Sequence, residues 1–234
     1  CALSGKSWGI PAEPGWSVGD VKAALEAISG IPVREQRLIA GVAEEASHGE
    51  GAAAVLDRSG ASFFTLLRRN PEEALWLERL ESMVHPQDAL RGAPMEIKAN
   101  RAIILAVVGR HGYSLKLASP ELRADHDVVL AAVSQAGAAL EYASEELRGE
   151  RDIVLTAVHS CGGALKHASE ALRGDREVVL AAIASQAGAL RFASEALRSD
   201  AEVVCQAGLK DGASLEFASE GLLGERGLVC RVVS

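Results

Sequence analysis

Imidazole and thiol side chains, the usual zinc ligands, are few: His48, His85, His111, His126, His159 and His167, with Cys1, Cys161, Cys205 and Cys230. No two histidines stand four apart around a catalytic glutamate. His159, Cys161 and His167 bring zinc-type ligands into one short span. The positions 25 residues before and after them hold Ser134 or Ala184, Ala136, and Tyr142 or Phe192, so the group reads as drift within a repeat, and no metal or cofactor is expected. Cys205 and Cys230 share a column with Leu105, Leu130, Leu155 and Leu180 and are expected to be buried thiols. Equivalent residues of stacked helices lie roughly 8–10 Å apart, too far for a disulfide. Free thiols fit a reducing compartment inside the cell, cytoplasm or organelle interior. The 23 glycines form no phosphate-binding loop, dinucleotide fingerprint or nucleophile elbow. Acids are plentiful but recur at helix starts, and recurrence in every repeat argues for structure, since an active site needs one special copy. The expectation is a protein that is not an enzyme.

The chain that carries these side chains has 234 residues, 48% of them apolar and only 4% aromatic, so its core is built from Ala, Val, Leu and Ile. A net charge of −8 has the wrong sign for a general nucleic-acid or anionic-membrane binder. No apolar run is long enough to span a bilayer.

From Arg101 the chain aligns with itself in rows of 25 beginning at Arg101, His126, Arg151, Arg176 and Ala201, with a partial sixth from Arg226 to Ser234. Columns read Leu115, Leu140, Leu165, Leu190, Leu215, then Ala118, Ala143, Ala168, Ala193, Ala218, with a serine after each alanine and an acid closing each row. Each row offers an acid at a helix start, an apolar block such as Val128 to Val133 that neighbours would have to cover on several sides, and a glycine break at Gly112, Gly137, Gly162 or Gly212, shifted to Gly188 in the fourth row. A second helix with a stripe at Leu140, Ala143 and Leu147 and a short serine-capped third segment complete the row. A leucine-rich repeat is the rival at this period, but the rows lack an asparagine ladder and are rich in alanine. The pattern, VVLAAV followed by GxAL, AS and L, closely resembles an uncharacterised family of tandem helical repeats over residues 101–234. That resemblance implies an α-solenoid and no activity.

Residues 16–39 read as a helix opened by Ser17 and Asp20, striped by Val21, Leu25 and Ile28 and closed by Gly30 and Pro32, then a strand from Gln36 to Ile39. With GIPVREQRLI after the helix, the stretch resembles ubiquitin. The match runs back through Leu3, Gly5, Lys6 and Glu13-Pro14, weakens after Gly41, and resumes with Phe63 to Arg69 as the last strand. The resemblance implies a β-grasp domain over 1–69, an α+β fold class for the whole chain, and a partner-binding patch at Leu3, Ile39 and Leu66; scattered surface apolar residues are the bland alternative. Cys1 would fall inside a central strand, so residues upstream of it are expected. Asn70-Pro71 follows Arg68-Arg69, so the domain is not a conjugated modifier. Pro11 would require an edge strand.

Residues 70–100 carry helical spacing at Leu75, Leu77, Leu80 and Met83 and are expected to pack on the first repeat as a cap, a free linker being the alternative. One column of the rows reads Leu117, Tyr142, His167, Phe192, Phe217. It either fills space between repeats or forms a stripe that binds a partner. The whole reads as a non-enzymatic interaction or scaffold protein, an accessory subunit whose partners are other proteins in a multi-subunit complex, with no nucleic acid and no membrane span. The alternatives are a ubiquitin-pathway adaptor and, more remotely, an enzyme with an unusual site between the domains.

Overall fold

The computed structural model describes residues 15–40, 44–45 and 64–223. The chain divides into two compact units, one ending at Met83 and one beginning at Val84.

In the first unit, helix α1 (Val18–Ser29) is fixed at both ends by its sequence. The Ser17 hydroxyl accepts from the Asp20 amide while the Asp20 carboxylate accepts from the Ser17 amide, and Gly30 closes the helix at φ 70°. Its buried face is Val18, Val21, Lys22 and Leu25. Ile28, expected on that stripe, is 52% exposed, because the buried row ends with Leu25. Strands β1 (Gln36–Ala40), β2 (Glu44–Glu45) and β3 (Phe64–Arg68) form an antiparallel sheet in the order β2-β1-β3. Leu38, at the middle of β1, is fully buried. The expected last strand is therefore present as β3, whereas Leu3, Pro11 and residues 46–63 lie outside the described residues. Among the described residues the sheet has three strands.

Gln36 is the polar pin of this unit. Fully buried, its amide donates to the Lys22 carbonyl at 3.0 Å and the Ile31 carbonyl at 2.8 Å, joining β1 to α1 and its exit. Truncation removes both bonds and leaves the Ile31 carbonyl without this donor, which costs about 1–3 kcal/mol. Gln36→Ala is expected to lower the stability of the first unit by that amount. Because Trp8, Trp16 and Trp76 are the chain's three tryptophans, a tryptophan-fluorescence melt reports this unit alone; an unchanged midpoint would refute the role.

The 70–100 segment is split between the units. The Pro71–Ser82 helix, capped by Asn70, buries Ala74, Leu77 and Leu80 and falls in the first unit. Arg34, beside β1, reaches Glu78 on it at 4.0 Å. Residues 86–100 belong to the second unit and repeat half a row: Leu90, Ala93, Ile97 and Asn100 stand 25 before Leu115, Ala118, Leu122 and Asp125. The first three are buried, and Asn100 caps the Arg101–Val108 helix as Asp125 caps the next.

Each repeat opens with an α-helix: Arg101–Val108, His126–Gln135, Arg151–Ser160, Arg176–Ser185 and Ala201–Lys210. The closing acid of the preceding row caps three of them; Asp125, Asp175 and Asp200 each accept from amides of the first turn. Burial is one-sided, at Val128, Val129, Ala132 and Val133 and their equivalents, not all round. For the same reason Cys205 is half-buried, not buried: its column lies on the flank of that face.

The expected second helix is not one helix. Leu140 sits in a six-residue 3-10 run, Gly137–Tyr142; Ala143 is extended at φ −67° and ψ 155°; Leu147 lies in a separate turn. The cause is the neighbouring repeat. The Ser144 amide donates to the Arg123 carbonyl at 2.8 Å, so it cannot continue a helix of its own repeat. The same bond recurs from Ser119 to Lys98, Ser169 to Arg148, Ser194 to Arg173 and Ser219 to Arg198, at 2.9–3.0 Å.

A second seam explains the glycine column. The Gly112, Gly137 and Gly162 amides donate to the side chains of Gln135, Ser160 and Ser185, at 2.9–3.1 Å, each at the end of the next repeat's helix. A Cβ at these glycines would collide with the carbonyls of Ala132, Ala157 and Ala182. In the fourth row Ala187 takes this place, and Gly188 beside it has room for a methyl group.

Candidate protein-binding surface

The surface of the repeats is built from two columns. The first is the base that opens each helix. Arg101 reaches Asp125 at 2.8 Å and also Asp127; Arg151 reaches Asp175 at 3.5 Å and also Glu177; Arg176 reaches Asp200 and Glu202. Each arginine thus clamps the capping acid and the next acid of the following helix, so that one ladder of ion pairs runs across the joints. At the second of these four joints the base is His126, 3.0 Å from Asp152 and 3.7 Å from Glu150. The hydrogen bond to Asp152 raises its affinity for a proton, and Asp152 is in turn held below the usual carboxylate range. Capping alone, the role the sequence suggests for these acids, misses the ladder. The signal was present: a base opens each of four consecutive rows, followed 24 and 26 residues later by acids.

Arginine heads that are 39–47% exposed add little each; the capping carboxylates under them are less exposed. The amide of Val178, then Arg151, hold Asp175 below its ordinary range. Burial alone would push Asp200 upward, but the Val203 and Glu202 amides and Arg176 outweigh it and lower it. A carboxylate whose folded pKa is depressed contributes stability above its unfolded value, about 3.9, and loses it as pH falls through the lower folded value. Circular-dichroism melts of the full chain, read on the helical signal of the repeats, are therefore expected to hold between about pH 5 and pH 6 and drop steeply below about pH 4, with a shallower drop in Asp175→Asn. A flat profile through that window would contradict the clamp.

The second column ends each 3-10 run: Leu117, Tyr142, His167, Phe192 and Phe217, all half-buried. The Arg191 guanidinium lies 4.5 Å from the Phe192 ring and 6.0 Å from that of Phe217, tying two repeats together. Burial lowers the proton affinity of His167, whose Nε2 is enclosed without a hydrogen-bond partner. These rings both fill the joints and keep an edge in water. His159, by contrast, bonds within its own helix to the Leu155 carbonyl.

In the first unit, β1 and β3 are neighbours, with Ile39 opposite Thr65 and Leu38 opposite Leu66. Opposed residues share a face of the sheet. Leu66 therefore stands on the buried face with Leu38, and Leu67, not Leu66, shares the face of Ile39. Ile39, Leu66 and Leu67 are all half-buried. Leu3 lies outside the described residues. Among the described residues no helix is long and apolar enough to cross a membrane.

Comparison with known proteins agrees with the architecture of the repeats. The family described as "Domain of unknown function (DUF4116)" matches residues 100–148, 125–173, 150–186 and 175–223, overlapping windows that step through the rows. No curated protein and no solved structure matches the chain.

Proposed function

Starting from a chain that belongs to the DUF4116 family, whose function is itself unknown, we propose that this is a non-enzymatic binding protein, an accessory subunit that holds a protein partner along its stacked repeats. One observation carries this reading. The chain has nine aromatic residues in all (three Trp, two Tyr, four Phe), and it places Tyr142, Phe192 and Phe217, with His167, at one equivalent, half-exposed position of successive repeats. Large rings at fixed intervals on a rigid stack are suited to anchoring an extended segment. The test is purification of the tagged full chain from its native extract, beside a Tyr142→Ala/Phe192→Ala variant. A protein recovered in stoichiometric amount with the first and lost with the second is the expected result. A solitary monomer, or the same partner on both, would end the proposal.

A second reading rests on the first unit. The capped helix α1, the buried Gln36 and the β1–β3 pairing support a ubiquitin-like domain over residues 1–69, and hence a ubiquitin-pathway adaptor that presents Ile39 to a receptor while the repeats hold a client. Ile39→Asp is expected to remove the receptor from the copurified set and leave the client; an unchanged set would exclude it.

A further inference from the structure

The joint between the His126 and Arg151 repeats differs from the other joints at two positions. Arginine is replaced by His126 as the base, and aspartate by Glu150 as the closing acid. The consequences are separate. Asp125, Asp175 and Asp200 spend their carboxylates on capping, whereas Glu150, one methylene longer, makes no side-chain cap to the helix it precedes. Its carboxylate instead lies 3.7 Å from the His126 Nε2, and the Asp152 carboxylate lies 3.0 Å from the same atom. One ligand atom from each of His126, Glu150 and Asp152 falls within 4.8 Å of the other two. Asp127 adds a third carboxylate, 3.7 Å from Nδ1.

We propose that this joint is a divalent transition-metal site, of zinc type, formed by His126 of one repeat with Glu150 and Asp152 of the next. The donor set is one imidazole nitrogen and two carboxylate oxygens, which suits zinc and its neighbours and leaves a fourth position for water. Oxygen and nitrogen ligands of tetrahedral zinc stand roughly 3.4 Å apart, from bonds of about 2.0–2.2 Å, so shifts of side-chain torsions alone suffice. Side-chain exposures of 43%, 46% and 63% leave the ion a direct approach from solvent.

The experiment is calorimetric titration of the full chain with Zn²⁺, beside His126→Arg and Glu150→Asp, each of which restores the residue used at the other joints. The wild-type chain is expected to bind one ion that shifts the His126 Nε2 resonance in a histidine ¹H–¹⁵N spectrum. His126→Arg should weaken this binding by on the order of 100-fold. Glu150→Asp should weaken it about tenfold while raising the melting temperature of the metal-free chain, because the shorter carboxylate regains the cap. Equal affinity in the wild type and His126→Arg would overturn the site. Should His126→Arg fail to fold, the wild-type spectrum decides: a His126 resonance that Zn²⁺ does not move overturns the proposal.

Discussion

Gly162→Val is expected to be among the most damaging single substitutions in the repeats. A Cβ on Gly162 would meet the Ala182 carbonyl and the Gln186 backbone of the next repeat. These are main-chain atoms of the last turn and C-cap of the Arg176–Ser185 helix, so no rotamer change relieves the clash. The Gly162 amide would also be pushed away from the Ser185 hydroxyl, its acceptor at 3.1 Å. Overpacking of this kind costs about 1–3 kcal/mol for a methyl group, with the branched side chain at or above the upper end. Because each repeat is stabilised mainly by its neighbours, the loss is concentrated at one joint and lowers cooperativity as well as the midpoint. Gly188→Ala is the control: a methyl group there finds only the Phe217 ring edge, at 3.9 Å, and stability should move by less than about 0.5 kcal/mol. Denaturation followed by circular dichroism checks both, and equal effects would refute the seam.

The second large effect is expected at the leucine column. Leu115, Leu140, Leu165 and Leu190 are fully buried, while Leu215, in the last described repeat, is half-buried. Truncating a fully enclosed leucine removes its transfer energy and leaves a cavity, about 2–5 kcal/mol together. Leu165→Ala should fall in that range. Leu215→Ala should cost clearly less, since part of its surface already meets water. Position along the stack, not residue type, sets the difference; identical losses at the two sites would show that the repeats are not packed as described.

How much of this was legible in the sequence follows from where the determinants lie. The row length, the serine and aspartate caps and the ends of α1 are local, and Ser17, Gly30, Asp125 and Ser169 act as their residue types dictate. The serine column marks where the third segment starts, but the extended Ala143 before it was not legible, because it arises where Ser144 bonds to Arg123 in another repeat. The one-sided burial that leaves Cys205 on the flank likewise depends on where neighbours stand. The arginine ladder was written in the first column of the rows, but its partners are a full repeat away, and a capping role for the acids hides their second one. In the first unit a shift of one residue in β3 exchanges Leu66 for Leu67 on the face of Ile39. Strand register is set by pairing, which the run from Phe63 to Arg69 does not encode locally.

The 25-residue row is a self-contained unit that needs only a neighbour on each side. Deleting residues 151–175 removes one whole row and joins Glu150 to Arg176. The new joint offers Gly137 the Ser185 hydroxyl in place of Ser160, Ser194 the Arg148 carbonyl in place of Arg173, and His126 the Glu177 carboxylate in place of Asp152. The measurement is circular dichroism of the deleted chain through a denaturant series. A helical protein that unfolds cooperatively, at a modestly lower midpoint than the full chain, is the result predicted; a chain that is unfolded or melts without a transition would contradict the account.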